Sequence, residues 1–170
     1  MRRSVAAVGS AAYFAGMAGT FAVLVPWLVT GWRFGGLRPG WMVAGALLIG
    51  VGTVPVVSVF VAFARAGGTP LPLAPTRRLV VSGFNRYVRN PVYLGSVLIF
   101  GGEALLFGRM SLLVYTAIGW AGAAGFVRWY EEPVLRRRFG GEYEAYRRAV
   151  PAWRPRLRPW TPERSGLGGS

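Results

Sequence analysis

The stretch PVYLGSVLIFGGEALLFGRMSLLVYTAIGWAGAAGFVRW, residues 91–129, decides the fold. It contains two apolar runs, 91–107 and 111–129, separated only by Gly108-Arg109-Met110. A bilayer crossing takes about 20 apolar residues, so this spacing predicts a tight helical hairpin that crosses a membrane twice. The first of the two runs is short for that purpose.

Two more runs lie upstream, about 5–29 (Val5 to Val29) and about 41–64 (Trp41 to Ala64), and each is long enough to span. Arg2 and Arg3 precede the first run, as basic residues precede a secretory signal. That run is too long for a signal core, and no clean small-residue cleavage site follows it, so a retained helix is expected. The expected fold is an all-α membrane bundle of about four spanning helices with a cytoplasmic C-terminal helical segment. It divides into residues 1–64 with the first two helices, 65–160 with the polar and hairpin regions, and a disordered tail, 161–170.

Composition points the same way. The 170 residues suit one domain. They are 53% hydrophobic yet carry a formal charge of +14. Lipid-facing runs flanked by charge reconcile the two. All twenty basic residues are arginine and all six acidic residues are glutamate. A chain with no His and no Cys has no zinc site, haem ligand, disulfide or thiol nucleophile, and no metal is expected. With His, Lys and Asp missing, Glu and Tyr are left as proton acceptors. Nucleic acid is not the expected partner, because the arginines flank apolar spans and form no single stripe.

Four crossings put the first tail, the 65–90 loop and the segment from Arg128 on one side. That side holds seventeen arginines, against Arg33, Arg38 and Arg109 on the other. The positive-inside rule places both termini in the cytoplasm, most simply of a cell inner membrane. Trp27, Trp32 and Trp41 then mark the outer interface, and Trp129 and Tyr130 the inner one. Small residues at four-residue spacing (Ala11, Ala15, Gly19; Ala121, Gly125) read as helix-packing faces. Pro26 and Pro55 are expected to kink their helices.

The 65–90 loop is rich in Gly, Pro and Arg, and loops of this length are often functional. From 130 to 160 the chain reads as an amphipathic segment folded along the membrane face or back over its mouth, with a Glu144–Arg148 pair at i, i+4.

Three groups bear chemistry. Gly83 to Gly95 (GFNRYVRNPVYLG) crowds two arginines, both asparagines of the chain and two tyrosines at the entrance of the third run. Pro91 suits a first helical turn, with Asn90 at the N-cap, and free N–H groups there can hold a carboxylate. Capping and ligand binding both fit this pattern. Glu131-Glu132 fits either ion pairs to Arg136 or Arg137, or a grip on a diol such as a ribose. Glu103 is an ionisable group within a span, a functional candidate by that fact.

Taken in order, Gly68-Thr69-Pro70, Leu79-Val80, Gly83 to Gly95, Glu131-Glu132-Pro133, Leu135, Phe139-Gly140, Glu142-Tyr143, Tyr146 and Val150-Pro151 resemble the isoprenylcysteine carboxyl methyltransferase and phospholipid methyltransferase superfamily of membrane enzymes. The resemblance covers about residues 65–151. It implies a cytoplasmic site for S-adenosylmethionine built from Arg89, Asn90, Pro91, Tyr93 and Gly95 with Glu131 and Glu132. Tyr87, Tyr143 and Tyr146, in the same motifs, are further candidates for that site. Many members carry histidine where this chain has Asn90, which resembles the phospholipid-type and bacterial members and argues against a specifically prenylcysteine substrate. The implied acceptor is a lipophilic molecule or membrane lipid entering from the bilayer. Arg86 and Arg128 are candidates to orient an anionic acceptor, and Glu103 to serve an amine. Methyl transfer from a sulfonium is an in-line displacement that needs alignment more than acid–base machinery, which suits a chain this poor in bases. Two other readings stand beside it: a sterol-reductase-like membrane enzyme using NADPH, and a non-catalytic protein that binds anionic lipid through arginine.

Overall fold

The computed structural model describes residues 16, 19–36, 39–65, 79 and 81–161. Most of the first apolar run, the small residues Ala11 and Ala15, Gly68-Thr69-Pro70, Arg2, Arg3, Arg38, Arg77, Arg78 and the tail from 162 lie outside them.

Among the described residues the chain is helical with no strand. Helix α1 runs Thr20–Thr30 and ends on Gly31, left-handed at φ +57°. Helix α2 is Pro39–Arg65, and Pro55 lies within it without ending it. A 3₁₀ turn, Gly83–Arg86, leads to α3, Pro91–Phe107. Helix α4 is continuous from Met110 to Phe139, and α5 is Gly141–Ala149.

The two helices of the hairpin meet at the expected Gly-Arg-Met joint. Pro91 occupies the first turn of α3, where its missing N–H removes no helical bond. Gly108, at φ +64°, takes the left-handed cap and donates its N–H to Ala104 O. Arg109 is extended, and α4 starts at the next residue. The loop 31–36 closes this end of the hairpin. Gly35 N–H donates to Phe107 O at 2.7 Å, and Phe34 stacks on the Phe107 ring at 5.3 Å.

Helix α3 packs along α2, and glycine sets how closely. A Cβ on Gly45 would lie 2.6 Å from Gly102 O, and one on Gly52 would lie 2.5 Å from Gly95 O; the reverse substitutions meet the same obstacles. Both pairs are seven residues apart on their own helix, so they share a face, and the antiparallel arrangement matches them reciprocally. In lipid, such close backbone approach replaces hydrophobic driving force as the source of helix association.

Two helices, Pro39–Ala62 and Met110–Phe139, are long and apolar enough to cross a membrane, while Thr20–Thr30 and Pro91–Phe107 are apolar but shorter. Only 22% and 17% of the apolar windows of the two long helices are buried. A helix in the core of a soluble protein would be mostly buried, whereas here Leu47, Ile118, Val114 and Val51 face outward.

Two expectations need correction. The fourth helix does not end near 129: it continues through a π turn, Val127–Glu131, into Glu132–Phe139. Pro133 falls in the first turn of that last part and so does not break it. Glu144 pairs with Arg136 at 3.0 Å and Arg147 at 3.6 Å, in place of the expected Arg148. Trp160, just before the expected tail, packs on Tyr146 at 5.6 Å, and its N–H donates to Arg86 O.

Candidate functional site

The site gathers where the start of α3, the middle of α4, α5 and the segment 150–161 meet. Tyr143, Tyr146 and Val150 form a buried cluster, with Leu79, Val81, Leu135, Phe139, Ala149 and Trp160 against it. Leu135 and Phe139 come from the last turns of α4. This small core gives a physical reason for the spacing of the motif residues after Glu132: they hold α5 against the polar loop before α3.

The segment 150–161 then runs back along that loop. Arg89 N–H donates to Pro151 O, Arg156 N–H to Tyr87 O and Trp160 N–H to Arg86 O, at 2.9–3.0 Å. Asn90 Nδ2 adds a bond to Ala152 O at 3.2 Å. Asn90 stands at the N-cap of α3 but makes no side-chain cap bond, because its amide is turned to this strap. Arg86 is held likewise: Nε donates to Trp160 O at 2.8 Å and Nη2 to Thr161 Oγ1 at 2.9 Å.

Inside this frame Arg89 Nη1 donates to Glu132 Oε1 at 2.6 Å and to the Tyr143 hydroxyl at 3.0 Å. The two charged side chains are 11% and 13% exposed. Glu132 also faces Arg147 at 3.7 Å and Arg136 at 4.0 Å. The neighbouring Glu131 turns elsewhere: the Tyr93 hydroxyl donates to its Oε2 at 3.3 Å. The π turn that ends at Glu131 inserts an extra residue into the helical turn and alters which face each glutamate presents.

The site also holds orphaned donors. Arg89 Nε, Asn85 Nδ2 and Arg156 Nη1 are buried without a hydrogen-bond partner. A buried donor left unmade costs roughly 1–3 kcal/mol, so such atoms call for an acceptor. Burial pushes the Tyr143 phenol up from its ordinary value, against the opposing pull of Arg89. It pushes Tyr146 up further, and the Tyr146 hydroxyl donates to Asn85 O at 2.7 Å. Both tyrosines are neutral at ordinary pH, Tyr143 accepting from Arg89 and Tyr146 donating to Asn85.

The structure therefore brings Arg89, Tyr93, Glu131, Glu132 and Tyr143 together. Pro91 is buried at the head of α3 and Tyr87 is half-buried against the strap. Gly95 faces away from them, against Gly52 and Val56 of α2. Arg128 is exposed on the π turn. Glu103 is buried two turns before the hairpin tip with Oε2 unpartnered. It lies twelve residues beyond Pro91, about 18 Å along α3 at 1.5 Å per residue. No group of metal-ligating residues occurs among the described residues.

Sequence reasoning passed over Trp120 and Trp153. The Trp153 ring lies 6.4 Å from that of Tyr93 and 6.2 Å from that of Trp120, so the strap lays an aromatic side chain against both α3 and α4. The signal was thin: a lone tryptophan, Trp153, between Pro151 and Pro155 after the last helical motif.

A family model described as phospholipid methyltransferase matches residues 41–142. The match begins in α2 and ends in α5, and it includes every residue of the Arg89–Glu132 and Tyr93–Glu131 contacts. No curated protein matches the chain, and no solved structure does.

Proposed function

Since the chain belongs to the phospholipid methyltransferase family, we propose that it is a membrane-embedded methyltransferase that takes its methyl group from S-adenosylmethionine and acts on a lipophilic acceptor reaching the site from the bilayer. The observation that carries this reading is the Arg89–Glu132 contact, which joins two motifs 43 residues apart and leaves Arg89 Nε buried without an acceptor.

The residues fit such a donor. Arg89 Nε is placed to receive a carboxylate, a bond between charged groups being about twice as strong as a neutral one. Glu131 offers an acceptor for ribose hydroxyls or an ammonium group. Tyr143 shares Arg89 Nη1 with Glu132 and helps to fix the guanidinium. When bound, S-adenosylmethionine supplies a methyl on a sulfonium centre, so transfer breaks the C–S bond with its electron pair left on sulfur and forms a bond to the acceptor's lone pair. The chain's own contribution is alignment and exclusion of water by the 150–161 strap. An amine acceptor must shed a proton, and Glu131 is the carboxylate at hand. Glu103 stands too far along α3 for that role.

In the membrane we propose that α1 to α4 make four crossings with both termini cytoplasmic. The arginine distribution supports this orientation. Glu103 then lies toward the outer leaflet and the Arg89 site at the cytoplasmic face.

Membranes containing the protein and a methyl-labelled donor test the activity. Label should pass to a solvent-extractable lipid or lipophilic small molecule, identified by mass spectrometry. An extract indistinguishable from membranes lacking the protein contradicts the reading.

A further inference from the structure

We propose that Tyr93, Trp120 and Trp153, with the Glu131 carboxylate beside them, form a box for a methylated onium cation. The assignment rests on the methyl-transfer reading above. It adds two residues, Trp120 and Trp153, to which neither the family match nor the motifs give a role; Trp153 lies outside the matched stretch altogether.

Trp153 stands between the other two rings, inclined at 50° to Tyr93 and 66° to Trp120. Rings inclined in this way meet edge to face or tilted, so they do not cover one another's faces as a parallel stack would. Each aromatic face bears negative potential and attracts a cation within about 6 Å of its centre. A methylated onium ion has few or no N–H or O–H donors to lose, so aromatic faces replace its weak hydration at little cost. Ordinary ammonium and guanidinium groups, which water holds strongly, gain less.

Charge completes the box. The pair of adjacent glutamates divides its work. Glu132 takes the ion pairs with Arg89, Arg136 and Arg147. Glu131 accepts from the Tyr93 hydroxyl, which places a carboxylate at the rim of an aromatic group with no ion pair to an arginine among the described contacts. A cation is what complements that arrangement.

The box also has an entrance. Trp120 is 46% exposed on the outer surface of α4, while Trp153 is half-buried and tethered by its strap to Arg89 and Asn90. The aromatic wall thus leads from the lipid-facing surface to the edge of the Arg89–Glu132 cluster. Two sources present the required chemistry: the sulfonium of the methyl donor, and the ammonium of an amine acceptor or its methylated product.

Titration calorimetry on the purified protein in lipid nanodiscs separates these. The probes are S-adenosylmethionine, its neutral thioether S-adenosylhomocysteine, and tetramethylammonium. Trp153→Leu keeps apolar bulk and removes the ring face; Trp153→Phe restores a face. Trp153→Leu is expected to weaken a cationic probe about tenfold, to leave S-adenosylhomocysteine unchanged, and to be rescued by Trp153→Phe. Weakening confined to S-adenosylmethionine assigns the box to the donor, and weakening of tetramethylammonium assigns it to the acceptor side. Should Trp153→Leu fail to fold, Trp120→Leu at its surface position reads the same effect. Equal binding of both cations by wild type and variants, with S-adenosylhomocysteine still bound, overturns the box and spares the donor site. Loss of S-adenosylhomocysteine binding in the wild type with Trp153-dependent tetramethylammonium binding supports the box and overturns the donor site instead.

Discussion

Arg89 and Glu132, 43 residues apart in the chain, meet at 2.6 Å through Nη1 and Oε1, each side chain almost out of solvent. The contact welds the entrance of α3 to the middle of α4. Removing one partner of such a buried pair leaves an uncompensated charge, a loss of about 3–5 kcal/mol, whereas replacing both with apolar groups of similar volume is often near neutral. Glu132→Leu alone should therefore lower the unfolding temperature in detergent sharply, and Arg89→Met with Glu132→Leu should recover most of it. A double variant as unstable as the sum of the singles would show that the two act independently.

The glycine crossing predicts a contrast within one helix. Gly95→Ala drives a Cβ to 2.5 Å from Gly52 O, whereas Gly101 has open space around it. Overpacking of a tight interface costs roughly 1–3 kcal/mol, and backbone yields less than side chains. Gly95→Ala and Gly102→Ala should each lower thermal stability, and Gly101→Ala should leave it unchanged or slightly raised. Equal stability of all three would mean that α2 and α3 are further apart than described.

Tyr143 and Tyr146 give a pH dependence. Burial raises both phenols above the ordinary value of 10.0. The unfolded chain releases those protons first, so it binds fewer protons than the folded chain in the window above that value. Stability is thus fully present below the ordinary value and falls as pH rises beyond it. Thermal unfolding from about pH 9 to about pH 11 should show a decline that Tyr146→Phe makes shallower. A decline of the same slope in that variant would assign it elsewhere.

The absence of cysteine makes a topology test clean. Single cysteines introduced at Arg109, on the hairpin tip, and at Arg138, exposed near the end of α4, should react with an impermeant thiol reagent from opposite sides of intact cells. Arg109→Cys should label from outside, and Arg138→Cys only after the membrane is opened. Labelling of both from the same side contradicts an odd number of crossings between them.

Much of this was legible beforehand because lipid imposes simple rules. The hairpin followed from two apolar runs and a Gly-Arg-Met joint, and α3 has the bounds its apolar run predicts, 91–107. The convergence of Arg89 with Glu132 came from ordered motifs. The reciprocal glycines were missed because a seven-residue spacing is read only when both helices are known to face each other. Asn90 misled because an N-cap position does not oblige the side chain to cap when a strap carbonyl competes for it. Gly95 and Arg86 sit inside the motif yet turn to packing and to the strap. Trp153 was silent because its meaning depends on where residues 150–161 fold back, a tertiary fact without a local signature.

We propose that Arg89 and Glu131 hold S-adenosylmethionine. The most direct measurement is titration of S-adenosylhomocysteine into the purified protein, wild type against Arg89→Ala and Glu131→Ala, with Glu103→Gln as the distant control. Micromolar-range binding is expected of wild type and Glu103→Gln, and loss in the other two while each keeps its helical content. Retained micromolar binding in both Arg89→Ala and Glu131→Ala would contradict the site, and its loss in Glu103→Gln would move the site along α3.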